Sequence, residues 1–138
     1  MEGVSGKVIY LVGREEIMEK KQDPVVAVIW GRCGEEKLWC DFLSVNLAHE
    51  HFKELKGVYI IFTADKQVIR LGSGIIKDRI AAHRRDKEIT AYENLKVTWA
   101  KVNALQMEGV EKFLADTLHP KIGDAFPDRT PIKVNLPW

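Results

Sequence analysis

The sequence predicts an α/β (α+β) domain with a small central, mostly antiparallel sheet flanked by helices and preceded by an N-terminal β-rich extension. Three observations predict this fold class. The chain has 138 residues, which suits a single domain, 1–138. Short β-branched and aromatic runs recur in pairs around turn residues, as in hairpins. Two longer stretches, 75–87 and 105–118, place apolar residues at helical spacing.

Residues 1–55 are predicted to form the β-rich extension. The apolar run at 7–12 is typical of a buried strand, and Gly13 ends it. The charged stretch 14–21 is predicted to be a short helix or a loop.

A hairpin is predicted over 25–42, because two apolar runs flank a turn that contains Gly31 and Gly34. Asn46 is a suitable N-cap for a helix over 47–55. The extension matches no pattern that indicates a function.

The core is predicted over 57–123. Strands 58–62 and 67–71 form a hairpin that the glycine-rich 72–74 segment closes, and the alternation at 95–102 predicts a half-buried strand. The helix that ends near residue 118 is stopped by His119-Pro120, because proline cannot continue a helix. The tail 124–138 contains three of the five prolines and several apolar residues, so we expect it to be extended and packed.

Composition narrows the class of protein. Hydrophobic residues make up 46% of the chain and charged residues 30%, and no apolar run is long enough to cross a bilayer, so no membrane partner is expected. The N-terminus has neither a basic cluster nor an apolar signal core, which predicts a cytoplasmic location. In a reducing compartment Cys33 and Cys40 would be free thiols or one facultative pair. With His49 and His51 they lack the paired spacing typical of zinc sites.

Charge is unevenly distributed along the chain. The formal net charge is +1, yet residues 66–101 contain nine Lys or Arg and four Asp or Glu, a local charge of +5. A local concentration of basic residues can attract a phosphate backbone. The alternative is an ordinary solvated helix face.

Three fragments occur in order along the core. They are Gly57-Val58-Tyr59, then Leu71-Gly72-Ser73-Gly74 followed by Arg79 and His83, then Glu111 leading Leu114, Leu118 and Pro120. Together, over residues 57–123, they resemble the GIY-YIG nuclease superfamily. In that family a first strand carries Gly-Ile-Tyr and a second strand carries Tyr-Ile-Gly. Two departures stand out: Arg70 occupies the position of the tyrosine in the second motif, and the 72–74 loop is about one residue shorter and has Ser73 where a lysine is often found.

The resemblance implies a metal-dependent endonuclease that hydrolyses phosphodiester bonds of DNA, branched or damaged DNA included, with Mg²⁺ or Mn²⁺ as cofactor. Glu111 would hold the metal, and Arg79 would stabilise the charge on the phosphate. Tyr59 would orient or deprotonate the attacking water, and His83 would relay the proton or grip a phosphate. We therefore expect these four side chains to converge on one concave basic face, with Arg70 at its edge.

Further phosphate contacts are implied for the polar and basic residues of this region: Arg70, Ser73, Lys77, Arg84 and Arg85. Each candidate also has an ordinary structural reading, such as a core tyrosine for Tyr59 or a solvated residue for Arg79. Glu108, one turn before Glu111, is the rival metal ligand. Trp30 and Trp39 could stack on bases, although core packing is favoured.

Two other functions stay open. Arg70 in place of a tyrosine is compatible with a catalytically weakened nucleic-acid-binding or interaction module on the same fold. A toxin-like or mobile-element nuclease that needs partner domains is the third possibility, because a domain of this size offers little surface for sequence-specific contacts.

Overall fold

The structure, a computed structural model, describes residues 7–12, 16–21, 24–123 and 126–138. It is a mixed α+β fold, which confirms the predicted class, built around a four-stranded antiparallel sheet. The strands of this sheet are β3 (Cys40–Asp41), β4 (Lys56–Thr63), β5 (Val68–Ile75) and β6 (Leu95–Lys101), in the spatial order β3-β6-β4-β5. Two further strands, β1 (Lys7–Val12) and β2 (Glu16–Lys21), pair antiparallel as a separate sheet.

Strand β4 is the centre of the fold. Its run of buried residues from Gly57 to Thr63 places alternate side chains on opposite faces, so both faces of the sheet are apolar. Tyr59 and Ile61 belong to one core cluster, and Val58 and Ile60 belong to the other.

Three helices complete the described fold: α1 (Ile76–His83), α2 (Lys87–Thr90) and α3 (Met107–Leu118). Helix α1 packs through Ile76 and Ile80 on the sheet face that carries Tyr59, whereas α3 packs through Val110 and Leu114 on the other face. Both helices contact β4 and β5. Because β5 is an edge strand, residues of α1 and α3 can meet around that edge.

The C-terminal segment is extended and packed on the α3 face. Val134 is buried and pairs with Val26 in an isolated parallel bridge, and Ile132 donates its backbone N–H to Gly109. No helix among the described residues has the length and apolarity needed to cross a bilayer.

Several local predictions in the N-terminal part are wrong. Residues 16–21 form β2 where a helix or loop was predicted, because pairing with β1 satisfies their backbone groups. The predicted hairpin over 25–42 reduces to β3 and two isolated bridges, one of which pairs Cys33 with Leu38.

The helix predicted over 47–55 is also wrong, since only a 3₁₀ turn forms at Glu50–Phe52. The Asn46 and His49 side chains accept backbone N–H groups two residues further on, which favours local turns over a continuous helix. Glu54 adopts a left-handed conformation with φ of 57°, which prevents continuation.

Two predictions in the core need correction. The 72–74 segment lies within β5 and pairs with β4, so it is a strand and not a loop. The helix predicted over 75–87 is shorter, because α1 ends at His83. The Asp86 side chain accepts the backbone N–H of Glu88 and so caps a separate helix, α2, which begins at Lys87.

The disulfide Cys33–Cys40 closes the loop before β3. Of the two states predicted for these cysteines, the pair is the one observed. The cytoplasmic location stays a prediction, and structural disulfides are more typical of oxidising compartments.

Candidate active site

Gly72 provides the space in which Tyr59 sits. The two residues are register partners across β4 and β5, so they share one face of the sheet. A Cβ atom at position 72 would lie 2.5 Å from the Tyr59 hydroxyl oxygen. The Tyr59 phenol therefore lies over the backbone of residue 72, and only glycine at that position leaves room for it.

The hydroxyl of Tyr59 contacts His83, the last residue of α1. Its oxygen lies 2.6 Å from His83 Nε2, a short hydrogen bond between two side chains. The rings are 5.3 Å apart between centroids. Helix α1 positions the imidazole because Ile80 and Ile76, one and two turns earlier, anchor the helix in the core.

Ser73 links the two faces of the sheet at the β5 edge. Its hydroxyl donates to Glu111 Oε1 of α3 at 2.6 Å, and its carbonyl accepts the Arg79 Nε–H of α1 at 3.1 Å. The Arg79 side chain passes Gly74, whose lack of a Cβ leaves room for it. Glu111 and Arg79 thus approach the same edge-strand residue from opposite faces.

Arg70 is the second cation of this region. It pairs in register with Ile61 and therefore lies on the same sheet face as Tyr59. Its Nε atom is buried and has no hydrogen-bond partner among the described residues. The positive charge of Arg70 lies close enough to the Tyr59 hydroxyl to lower the pKa of that phenol.

The Tyr59 phenol is buried, and this loss of hydration raises its pKa above the usual value of 10.0. The charges of Arg79 and Arg70 act in the opposite direction and lower the pKa of this hydroxyl. Tyr59 is therefore protonated at neutral pH and can serve as a hydrogen-bond donor.

Burial also lowers the pKa of His83, to about 4, and the nearby charges of Arg70 and Arg79 contribute. The imidazole is therefore neutral at pH 7 and has one nitrogen free to accept a proton. Burial raises the pKa of Glu111, although the Ser73 hydrogen bond and the charge of Arg79 oppose this shift. The three groups share one partly desolvated, positively charged environment.

The structure thus brings together Tyr59, Arg79, His83 and Glu111, and Arg70 lies beside them. Of the other phosphate-contact candidates, Ser73 is committed to Glu111, while Lys77 and Arg85 are exposed. Arg84 differs from its prediction: its guanidinium donates to the carbonyls of Phe42 and Val45 at 2.9 and 2.7 Å, so it ties α1 to the loop after β3.

Glu108, the rival metal ligand, points to a different partner. Its carboxylate accepts from Arg129 at 2.7 Å in an exposed ion pair. Glu111 is therefore the carboxylate that the fold directs to the Tyr59 region.

A metal site here would be built on one carboxylate. Among the described residues, no group of three or more His, Cys, Asp or Glu side chains is arranged to hold a metal. Mg²⁺ nevertheless retains several waters and binds through one or two carboxylates together with substrate phosphates. Glu111, with one oxygen engaged by Ser73 and a second oxygen available, fits such a site.

No protein family, curated protein or solved structure matches this chain. The residues that sequence reasoning missed are those that act through tertiary contacts. Gly72 was predicted only to make a tight turn, and Ser73 was predicted to contact phosphate. The strand register that places Gly72 under Tyr59 was the missing information.

Proposed function

We propose that this protein is a divalent-metal-dependent endonuclease that hydrolyses phosphodiester bonds of DNA. The observation that carries the proposal is the 2.6 Å contact between Tyr59 and a neutral His83, beside Arg79 and Glu111. This arrangement combines a proton acceptor, a cation and a carboxylate at one edge of the sheet. Arg79 and His83 belong to the segment 66–101, which has a net charge of +5. Tyr59 and Glu111 lie before and after this segment in the sequence.

The attacking water loses its proton through Tyr59. In this step the phenol oxygen accepts the proton from water while the phenol O–H passes its own proton to His83 Nε2, so Tyr59 is neutral before and after. The water oxygen forms a bond to phosphorus, and the bond to the leaving oxygen breaks with its electron pair on that oxygen. Solvent water protonates the leaving oxygen, and the His83 imidazolium returns its proton to solvent. A bound phosphodiester also brings negative charge, which favours the imidazolium and offsets the low pKa of His83.

The two arginines stabilise the phosphate. The guanidinium of Arg79 retains donors beyond the Nε–H that Ser73 accepts, and these are available to phosphate oxygens. The charge of Arg70 stabilises the electron-rich phenol oxygen during proton transfer. Glu111 would hold Mg²⁺ or Mn²⁺, which when bound stabilises negative charge on the phosphate and the leaving oxygen.

The test is cleavage of supercoiled plasmid and of flapped or branched DNA, with Mg²⁺ or Mn²⁺ and with EDTA. We expect metal-dependent nicking that Arg79→Ala and Glu111→Ala each reduce by about 10²-fold or more. Glu108→Ala is the matched control on the same helix face, because its carboxylate is paired with Arg129. Nicking that persists in Glu111→Ala but is lost in Glu108→Ala would transfer the metal site to Glu108.

A second function is favoured by one observation: burial raises the pKa of Tyr59 although the charge of Arg70 lowers it, so the phenol gives up its proton reluctantly. If proton transfer from water is too slow, the same basic edge would bind DNA without cleaving it. Electrophoretic mobility shifts with flapped and linear duplexes, in EDTA and in Mg²⁺, separate the two. Binding without any cleavage under every condition favours the binding module.

A further inference from the structure

The positive charge of Arg70 has no counter-charge among the described residues. No carboxylate of these residues forms an ion pair with its guanidinium, and its buried Nε–H has no hydrogen-bond acceptor there. A partly buried charge is costly unless it is paired, so an anion that reached this guanidinium would stabilise it.

Gly123 provides the space for the Arg70 side chain. The backbone of Gly123 has φ of 105°, a conformation that favours glycine. A Cβ atom at this position would collide with Nη1 of Arg70. The guanidinium therefore lies against the backbone of residue 123.

The chain after α3 brings Gly123 to this place. His119 ends α3 in a left-handed conformation with φ of 50°. The next residues then follow the start of β5, because the backbone N–H of Lys121 donates to Val68 at 3.1 Å and that of Ile122 donates to Ile69 at 2.8 Å. These two backbone hydrogen bonds hold Lys121 and Gly123 beside Arg70.

A cavity of about 510 Å³ lies next to these residues, and Arg70, Lys121 and Gly123 form one side of it. His83 also lines the cavity. Because the His83 imidazole contacts the Tyr59 hydroxyl, the cavity adjoins the candidate active site.

The charges of the cavity are divided between its two sides. Arg70 and Lys121 lie on the side formed by β5 and the segment after α3, whereas Asp86 and Glu88 come from the start of α2. One carboxylate oxygen of Asp86 already accepts the backbone N–H of Glu88 at 2.9 Å. An anion is therefore attracted to the side of Arg70 and Lys121 and is kept away from α2.

The cavity lies within reach of a DNA strand that occupies the candidate active site. Arg79 and Glu111 both bind Ser73, which is three residues after Arg70 on β5. Three residues of an extended strand span about 10 Å, a distance that a short stretch of DNA can bridge.

We propose that Arg70 and Lys121 bind a phosphate group of the DNA strand in this cavity, close to the phosphate that is cleaved. The inference rests on the proposed function, since it takes DNA as the substrate. It adds a second phosphate contact and assigns Lys121 and Gly123 to substrate binding, with Gly123 acting through the position of Arg70.

The test is fluorescence anisotropy of a labelled flapped DNA with the full chain in EDTA, where no metal-dependent cleavage occurs. Each phosphate contact made by a lysine contributes about 0.7–0.9 to the slope of log K against log salt concentration. We expect Lys121→Gln to reduce the slope by this amount and to weaken binding by about fivefold or more. Lys133→Gln is the matched control, because Lys133 is an exposed lysine outside the cavity.

A second series locates the bound phosphate. Single phosphates of the flapped DNA are replaced, one position at a time, by an uncharged methylphosphonate. At one position other than the cleaved linkage, the replacement should weaken binding to the wild type but not to Lys121→Gln, because that variant has already lost the contact.

A pair of glycine variants tests the role of Arg70 without removing its charge. Gly123→Ala should displace the guanidinium and weaken binding by about fivefold or more. Gly34→Ala is the matched control, because Gly34 also has a positive φ, of 74°, but a Cβ there would meet no atom within 4 Å. Thermal melting verifies that each variant is folded, and Lys121→Gln tests the proposal even where Gly123→Ala fails to fold.

Two results would overturn the proposal: a salt dependence of Lys121→Gln equal to that of Lys133→Gln, or DNA binding by a folded Gly123→Ala as tight as that by Gly34→Ala. Either result alongside metal-dependent nicking would leave the proposed endonuclease intact. The expected binding effects without any nicking would instead contradict the endonuclease and support the phosphate site.

Discussion

Tyr59 and Gly72 face each other across β4 and β5, and the phenol hydroxyl occupies the space that any side chain at position 72 would require. This relationship aims the hydroxyl at His83, the residue it contacts at 2.6 Å. It also explains why a glycine is required inside a strand, where glycine is otherwise unfavourable.

Gly72→Ala is expected to displace the Tyr59 hydroxyl and to weaken its contact with His83. Overpacking of this kind costs about 1–3 kcal/mol of folding free energy, and we expect nicking to fall by about 10²-fold. Gly31→Ala is the matched control, because its Cβ would lie 2.6 Å from the Trp99 ring. It should lose comparable stability in urea unfolding yet retain nicking. Equal nicking by both variants would contradict the role given to Gly72.

Glu111→Gln is expected to abolish cleavage while raising stability at pH 7. Burial raises the pKa of Glu111, so its ionisation disfavours the folded state as pH rises above the usual value of 4.5. Glutamine removes this charge and can still accept the Ser73 hydrogen bond. Thermal melting at pH 7 measures the change in stability, and plasmid nicking measures the loss of cleavage. Melting with and without Mg²⁺ tests metal binding: Mg²⁺ should raise the Tm of the wild type only. A lower Tm for Glu111→Gln than for Glu108→Gln would disprove the prediction.

The stability of the protein should decrease as pH falls from 6.5 toward 4 because of His83. Its pKa is lowered from 6.5 to about 4, so in this window the unfolded state binds a proton that the folded state does not. Stability from this group is complete above pH 6.5, and the loss is at most about 3 kcal/mol. Urea unfolding across this range should show a weaker pH dependence for His83→Gln than for His119→Gln, the exposed control. Identical profiles would refute the assignment.

Arg70→Gln is expected to raise the pKa of His83 above about 4, because the charge of Arg70 is one cause of the low value. It should also raise the pKa of the Tyr59 hydroxyl. Titration of the imidazole resonances by NMR measures the first effect directly. Lys77→Gln removes an exposed charge from α1 and should leave the His83 titration nearly unchanged. If Lys77→Gln shifted the pKa of His83 as much as Arg70→Gln does, the effect would not depend on the location of Arg70, and the prediction would be wrong.

Reduction of the Cys33–Cys40 disulfide should destabilise the fold by about 2.5 kcal/mol, as loop-closure entropy gives for a bridge spanning so few residues. The separation is 7 residues. Urea unfolding with and without a phosphine reductant measures the loss, and a Cys33→Ser and Cys40→Ser double variant should not respond to the reductant. Nicking well below the Tm should be unaffected, because the bridge is remote in the sheet from β5.

Much of the core could be predicted from the sequence because its signals are local. The apolar run of β4, the alternation in β6 and the helical stripe of α3 each reflect a single periodicity, and the structure contains all three elements. The prediction that β6 is half-buried is wrong, because its residues from Val97 to Ala100 are buried on both faces of the sheet. Tyr59, Arg79, His83 and Glu111 were also expected together, and the fold brings them to one edge of the sheet. Their catalytic roles stay predictions that the experiments above test.

The predictions of secondary structure that are wrong lie where two local signals compete. Asn46 and Glu54 end the would-be helix over 47–55, since a short helix has little intrinsic stability to resist local turns. Gly72 resembled part of a turn because glycine favours turns, yet pairing with β4 outweighs that preference.

By itself the sequence determined the α+β class, the central strands and helices, and the set of chemically competent side chains, because these depend on periodicity and residue type. Only the tertiary structure decided that Ser73 joins Glu111 to Arg79, that Arg84 supports a loop, and that Gly123 makes room for Arg70 beside a cavity. These contacts depend on strand register and on which faces the helices cover. Both are set by long-range packing, which no short stretch of sequence encodes.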